Sequence, residues 1–327
     1  STVRDRAGLV RGHLTSRGPE LLALSALAVA QPLLDLFGRN PGFFVASDST
    51  RPEILAFALM VTFAVPALAL ATEVVALLLA GPKAAAVVHG FWFGLLGFVF
   101  GLALAADLGQ DSTVTAVGVG LVVSGGLVLL RRRFNGVRLM LRYLGFAPVF
   151  FLALFLFTSA TGDLFWAWEA GAEADVRVGS DAPVVFVMFD ELPLASLLRE
   201  DGTINQQRFP NFARLAAAGT WYRNATSVSA TTVRSVPSTL AGDFPEEGAV
   251  PTSSDYPENL FTLLGEDYEM DVHETITDLC PSSICAAEHA AGVGQFFTHL
   301  RQSLADATVV YGHVVLPESW RTDLPTV

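Results

Sequence analysis

Hydrophobic and polar positions follow two regimes along this chain. Up to residue 159 apolar residues come in long, almost uncharged runs, Leu21–Phe37, Ile54–Leu79, Ala84–Ala106, Val114–Leu130 and Tyr143–Ser159. Each is close to the roughly 17 to 25 residues that carry a helix across about 30 Å of hydrocarbon, so five membrane spans are expected. The first run carries Gln31, Pro32 and Asp35 towards its far end; a proline there is tolerable where neighbouring groups serve the backbone atoms it frees. Glu73 and His89 lie inside later runs. Ionisable groups in lipid are expensive and invite a transport or proton-relay reading. Both sit near the ends of their spans, however, which predicts that they reach interfacial water.

Beyond residue 160 the pattern changes to short apolar runs between polar stretches. Val184–Phe189 is a continuous, β-branched-rich run of the kind buried on both faces of a parallel sheet. Pro210–Gly219 places Phe212, Leu215 and Ala216 on one helical face and stops at glycine; Leu260–Leu264 reads as a further helix, and Thr308–Val315 as another buried strand. Alternation of this kind predicts an α/β domain with right-handed crossovers. The expected organisation is a transmembrane bundle over 1–160, a linker over 161–181 and an α/β domain over 182–327.

Charge separates the same two regions. Residues 1–159 hold 12 Lys+Arg and 8 Asp+Glu, residues 160–327 hold 8 and 24, so +4 and −16 sum to the net −12 of the chain. An acidic second half disfavours nucleic acid as a partner. Arg4, Arg6, Arg11 and Arg17 precede the first run, Lys83 separates the second from the third, and Arg131–Arg133, Arg138 and Arg142 separate the fourth from the fifth. The positive-inside rule then predicts a cytoplasmic N-terminus, and five crossings deliver the acidic half to the outside. Phe165, Trp166 and Trp168 would form an interfacial aromatic belt. No cleavable secretory signal is evident, so the first run is expected to be retained. In the exported half, Cys280 and Cys285 are spaced for a short-loop disulfide rather than a metal or redox motif.

Candidate chemistry begins at Asp190-Glu191, two carboxylates directly after the apolar run. In open α/β sheets ligands collect at such strand ends, and hard oxygens suit Mg²⁺, Mn²⁺ or Ca²⁺. Alone, the pair would as readily cap a turn. Thr231-Thr232 then opens Val-Arg-Ser-Val-Pro-Ser-Thr-Leu-Ala-Gly242, a predicted helix start. Free N–H groups there favour both an ionised hydroxyl and a bound phosphate or sulfate, and a nearby cation would lower the hydroxyl's pKa further. On spacing alone, simple capping by Thr is the better account.

Taken in order, the apolar run with Asp190-Glu191, the stretch Phe209-Pro-Asn-Phe-Ala-Arg-Leu-Ala-Ala-Ala-Gly-Thr-Trp-Tyr-Arg-Asn224, and Thr232-Val-Arg-Ser-Val-Pro237 with Leu240-Ala-Gly242 resemble the N-terminal part of the alkaline phosphatase and sulfatase superfamily. The likeness covers about residues 182 to 315. Five spans before an exported domain are similar to the lipoteichoic acid synthases and lipid A phosphoethanolamine transferases of that superfamily. The resemblance implies an alkaline-phosphatase/sulfatase-like α/β fold, Asp190 and Glu191 with Thr232 as ligands of a divalent metal (Mn, Mg, Zn or Ca), and Thr232 as the nucleophile. Arg234 stands where an uncharged residue is expected and is either a substrate-phosphate contact or a residue of a solvated face. Sulfatases proper require an oxidisable Cys or Ser at the position of Thr232, so phosphoryl transfer is the better match.

The superfamily's Asp-His pair has no counterpart after Thr232, and His273, His289, His299 and His313 sit in no matching motif. His313 reads as a core histidine near a strand end. The domain is therefore expected to be truncated and catalytically incomplete. The leading expectation is a transferase that takes a phosphoglycerol- or phosphoethanolamine-type head group from a membrane lipid donor to an envelope glycan or lipid acceptor. The alternatives are a membrane-bound sulfate or phosphate ester hydrolase and a non-catalytic envelope scaffold.

Overall fold

The uncharged runs of the first half fold as helices, and a computed structural model describes residues 3–47, 49–110, 112–166, 177–190, 192–285 and 293–326. In chain order the helices are α1 (Val3–Ser25), continued by a π-helical stretch (Ala26–Ala30) into α2 (Gln31–Gly38), then α3 (Gly42–Ala46), α4 (Arg51–Asp107), α5 (Thr113–Arg133), α6 (Asn135–Leu144), α7 (Ala147–Thr158) and α8 (Ala160–Trp166). There follow the short α9 (Leu194–Leu197), α10 (Pro210–Ala218), α11 (Thr232–Ala241) and α12 (Leu260–Leu264), the long α13 (Val293–Val315) and α14 (Glu318–Arg321). Two compact units result, Ser1–Trp168 with Glu288–Val327, and Glu169–Ala287.

Among the described residues of the first unit four helices are long and apolar enough to cross a membrane, Ala7–Gly38, Arg51–Asp107, Thr113–Arg133 and Asn135–Thr158. Two of the five expected runs share the 57-residue α4, which is broken at Gly81 (φ 85°, ψ −174°). Only glycine takes that backbone conformation without a steric penalty, and Pro82 follows it. The break is a reversal. His89 and Glu73, sixteen residues apart, would be about 24 Å apart on a straight helix at ~1.5 Å per residue, yet His89 Nδ1 lies 2.8 Å from Glu73 Oε1. Trp92 Nε1 likewise donates to Thr72 Oγ1 at 2.9 Å.

Pro32 sits inside the first crossing without breaking it. It has no N–H to give the carbonyl four residues back, that of Ala28, and the preceding turn widens to π geometry. The Tyr311 hydroxyl of α13 donates to the Ala28 oxygen. The neighbouring helix thus serves a backbone group that the proline leaves over.

Small residues bring the second arm of α4 against α5. A Cβ on Gly101 would stand 2.7 Å from Gly120 Cα, one on Gly97 3.3 Å from Ser124 Cα, and one on Gly120 2.7 Å from the Phe98 ring. The backbones can therefore approach closely, as small-residue seams permit in lipid, and Ser124 Oγ donates to the Gly94 carbonyl at 2.7 Å. Phe37, Phe44, Phe57 and Phe155 fill another core, with Phe37 and Phe57 edge to face at 5.3 Å between centroids.

The expected α/β domain is not present. Among the described residues about two-thirds are helical and there is no strand and no sheet; residue pairing of strand type is limited there to isolated bridges, Leu198 with Ile204 and Thr252 with Asp278. Val184–Phe189 has no regular secondary structure and is exposed at every position, from 41% at Met188 to 86% at Val185. A strand exists only through a partner ladder, and the second expected strand does not form. Thr308–Val315 is instead the end of α13, where Leu300, Leu304, Ala307 and Tyr311 recur at helical spacing and pack against the Phe37–Phe57 core. His313 is only partly buried, with Nε2 2.8 Å from the Pro325 carbonyl oxygen.

The α4–α5 seam makes a direct expectation. Gly101→Ala should destabilise the helical unit by about 1–3 kcal/mol through overpacking, whereas Gly118→Ala, with nothing within 4 Å of its added carbon, should not. Thermal unfolding of both variants in one detergent checks this, and equal midpoints would show that the seam is not tight.

Candidate functional site

In the unit Glu169–Ala287 the predicted nucleophile and one predicted carboxylate meet. Thr232 Oγ1 donates to Asp190 Oδ1 at 3.0 Å across 42 residues of sequence. Asp190 follows the exposed Val184–Phe189 stretch, whose last ring packs 5.8 Å from Phe212 of α10. Thr232 is the first residue of the ten-residue α11, which ends at Gly242 in the left-handed conformation (φ 70°). The contact therefore joins the end of an apolar segment to the start of a helix, without a sheet beneath it.

This geometry separates the capping reading from the chemical one. The helix N-cap is Thr231, and its side chain makes no capping hydrogen bond; its hydroxyl lies 3.4 Å from Ser229 Oγ. Thr232 directs its own hydroxyl to the carboxylate instead. The first N–H groups of α11 carry no side-chain cap, and they form the positive end of the helix dipole.

Arg234 does not join the pair. Two residues along a helix turn it about 200° from Thr232, and its Nη2 donates to the Glu246 carbonyl at 3.1 Å. Its observed contact holds α11 to the loop after it. Glu191, Trp168 and His289 lie outside the described residues. His299 belongs to the helical unit, where its Nδ1 is 3.3 Å from Glu53 Oε1.

The expected divalent metal would find in Asp190 and Thr232 two oxygen donors, one of them already engaged by the other. Hard cations take about six or more oxygens, and among the described residues no group of three His, Cys, Asp or Glu is placed to hold an ion. Two described oxygens fall short of such a shell.

Cys280 and Cys285 are joined in a disulfide with a Cα–Cα distance of 5.9 Å. Its loop is organised by Glu274, which accepts from Thr277 Oγ1 at 2.6 Å and from the backbone N–H groups of Leu279 and Cys280 at 3.0 and 2.9 Å. Nothing in the periodicity marked this residue. Its signal was local, an acidic residue a few positions before a short Cys loop that has N–H groups to satisfy. Asn259 links the loop to α12, accepting from Phe261 and Thr262 while its Nδ2 donates to the Tyr256 and Leu279 carbonyls.

Comparison with models of known protein families, with curated proteins and with solved structures finds no match to this chain.

Glu274 carries a pH expectation. Burial is the largest influence and pushes its carboxyl above the usual range, against the hydrogen bonds from Thr277, Cys280 and Leu279. The folded state therefore holds this proton more tightly than the unfolded chain. That contribution to stability is complete below about pH 4 and is lost as pH rises through the folded value. Glu274→Gln should flatten the slope in that window, as read by unfolding at a series of pH values; an unchanged slope would remove Glu274 as its source.

Proposed function

We propose that the protein is a membrane-embedded enzyme that transfers a phosphoryl head group, of phosphoglycerol or phosphoethanolamine type, from a lipid donor to an envelope glycan or lipid. The hydrogen bond from Thr232 Oγ1 to Asp190 Oδ1 is the observation that carries this reading. A Thr hydroxyl at a helix start, already directed at a carboxylate, has both the proton acceptor and the local positive potential that an unactivated alcohol lacks. Four helices with the length and apolarity of membrane spans suit a lipid donor.

In this reading Oγ1 of Thr232 attacks the donor phosphorus while its proton passes to Asp190. The bond from phosphorus to the lipid oxygen breaks, and the lipid leaves as an alcohol once protonated. The acceptor hydroxyl then attacks the phospho-threonine, its proton is released, and Thr232 Oγ1 regains a proton from Asp190. Backbone N–H groups at the start of α11 face the phosphoryl oxygens, where preorganised donors count most. A divalent cation bound with Asp190 and Thr232 among its ligands would supply charge neutralisation at the phosphoryl group.

Sidedness belongs to the same proposal. Counting the two arms of α4 as separate passages and applying the positive-inside rule to Arg11, Arg17 and Arg131–Arg133 puts the N-terminus in the cytoplasm and Thr232 outside. A periplasm- or exterior-active reporter fused after Ser180 should be active, and a cytoplasm-only signal there would reverse the orientation.

The chemistry is tested with the full-length protein in lipid nanodiscs and a head-group-labelled phospholipid. Thr232→Ala should abolish transfer, by about 10³-fold or more, with KM nearly unchanged. Thr232→Ser should keep part of the rate, and Asp190→Asn should lower kcat by roughly 10²- to 10⁴-fold. A Thr232→Ala variant turning over near the parent rate, or label trapped on Thr231, would remove Thr232 as nucleophile.

A further inference from the structure

The helical unit holds a continuous chain of ionisable side chains that the proposed chemistry does not use. His13 Nε2 lies 2.7 Å from Glu73 Oε2, His89 Nδ1 2.8 Å from Glu73 Oε1, and His89 Nε2 3.1 Å from Glu20 Oε2. That last oxygen also accepts from Arg131, Nε at 2.7 Å and Nη2 at 2.6 Å. The chain ties α1 to both arms of α4 and to α5. Its middle is dry, with Glu73, His89 and Glu20 at 0%, 2% and 3% exposure. Expected from sequence to reach interfacial water, Glu73 and His89 instead meet each other inside the bundle, each eight residues from Gly81.

Two independent accounts leave this cluster short of one proton. By charge, of the two buried carboxylates only Glu20 is paired with a guanidinium, that of Arg131, and a buried carboxylate such as Glu73 that meets only histidines is strongly unfavourable unless a proton is added. By hydrogen bonding, a carboxylate only accepts, so contacts from both ring nitrogens of His89 to Glu73 and Glu20 need a hydrogen on each, whereas a neutral imidazole has one. One added proton, on His89 or on a flanking carboxyl, meets both requirements. Arg131 cannot supply it, because guanidinium does not deprotonate in proteins.

The other end of the chain can exchange a proton. The His13 side chain is 9% exposed, against 0% for Glu73 and 2% for His89, and it is the outermost titratable member. Other charges nearby are Arg17 on α1, whose buried Nη1 has no hydrogen-bond partner, and the exposed Lys83 after the reversal and Arg138 and Arg142 on α6. None of these is a base that competes for the proton. The α7 helix, Ala147–Thr158, has no ionisable residue.

We propose that His13, Glu73, His89 and Glu20 form a buried proton-binding relay that holds one exchangeable proton and loads it through His13. In the outward step the Nδ1–H bond of His89 breaks as an O–H bond forms on Glu73. Once His13 has passed from its Nε2–H to its Nδ1–H tautomer by exchange with solvent, freeing the Nε2 lone pair, the carboxyl turns about its Cγ–Cδ bond and gives that lone pair the proton. The positive charge has then moved from His89 to His13, and the Glu73 carboxylate is regenerated. This site is independent of Thr232, and it gives the helical unit a chemistry of its own.

The test is nitrogen NMR of histidine-labelled full-length protein in lipid nanodiscs, with infrared detection of carboxylic acid. At about pH 8, where an unperturbed histidine is neutral, the cluster should still hold its proton, seen as a His89 imidazolium or as a protonated Glu20 or Glu73. Glu73→Gln should return His89 to a neutral tautomer, and His13→Asn should keep the His89 state while slowing its proton exchange with solvent at least about tenfold. A neutral His89 beside two ionised carboxylates at about pH 6 would overturn the proposal, as would exchange unaffected by His13→Asn. Circular dichroism and thermal midpoints verify that each variant is folded; were Glu73→Gln to unfold, the His13→Asn exchange rate alone decides.

Discussion

A carboxylate within an apolar helix bundle must be paired or neutralised, and Glu73 meets this requirement by bonding two histidines at once. One comes from α1 and the other from the returning arm of its own helix. Much of the helical unit follows from that arrangement. The reversal at Gly81 has to place Glu73 and His89 at the same level, α1 has to present His13 and Glu20 on one face, and α5 has to end where Arg131 reaches Glu20. Each of these groups would be costly to bury alone. Together they specify which helices adjoin, a choice that uniform apolar surfaces leave open because lipid tails are as apolar as leucine.

The second theme is how the bundle absorbs local irregularity. Pro32 deprives Ala28 of its usual donor and Tyr311 provides another; Gly101 and Gly120 remove the side chains that would hold α4 and α5 apart. In both places a local defect is matched by a long-range contact. The α13 helix takes part twice, with Tyr311 on the Ala28 carbonyl and with Leu300, Leu304 and Ala307 on the phenylalanine core. The unit Glu169–Ala287 is held differently, by hydrogen-bonded loops around Glu274 and Asn259 and by the Cys280–Cys285 bridge.

Against that background the Asp190–Thr232 contact is informative because no regular element enforces it. The two residues are 42 apart, in a unit with short helices and isolated bridges, yet the hydroxyl of Thr232, the first residue of α11, is directed at the carboxylate. Thr231, its immediate neighbour, shows the alternative, a hydroxyl within a local turn. Arg234 illustrates the opposite case. It is in the same helix turn, but the angular step along the helix carries it to the Glu246 carbonyl.

What the sequence determined by itself was set by short-range rules. Apolar runs of membrane-crossing length, the short helices at Pro210–Ala218 and Leu260–Leu264, and the Thr232 helix start ending at Gly242 all depend on neighbours within a few residues. The expected sheet failed because Val184–Phe189 states only that it is apolar, and a strand is a relation to a partner that no local pattern contains. Thr308–Val315 was misread for the same reason, since a short apolar run does not distinguish strand from buried helix, and the spacing from Leu300 to Tyr311 was the signal that did. Tertiary structure alone decided the partners of Glu73 and His89. That each lies eight residues from Gly81 was visible, but whether those positions converge depends on the reversal there and on the packing of four helical segments. Coulomb and hydrogen-bond energies act through space over a few ångströms, and that distance is settled only when the chain has folded back on itself.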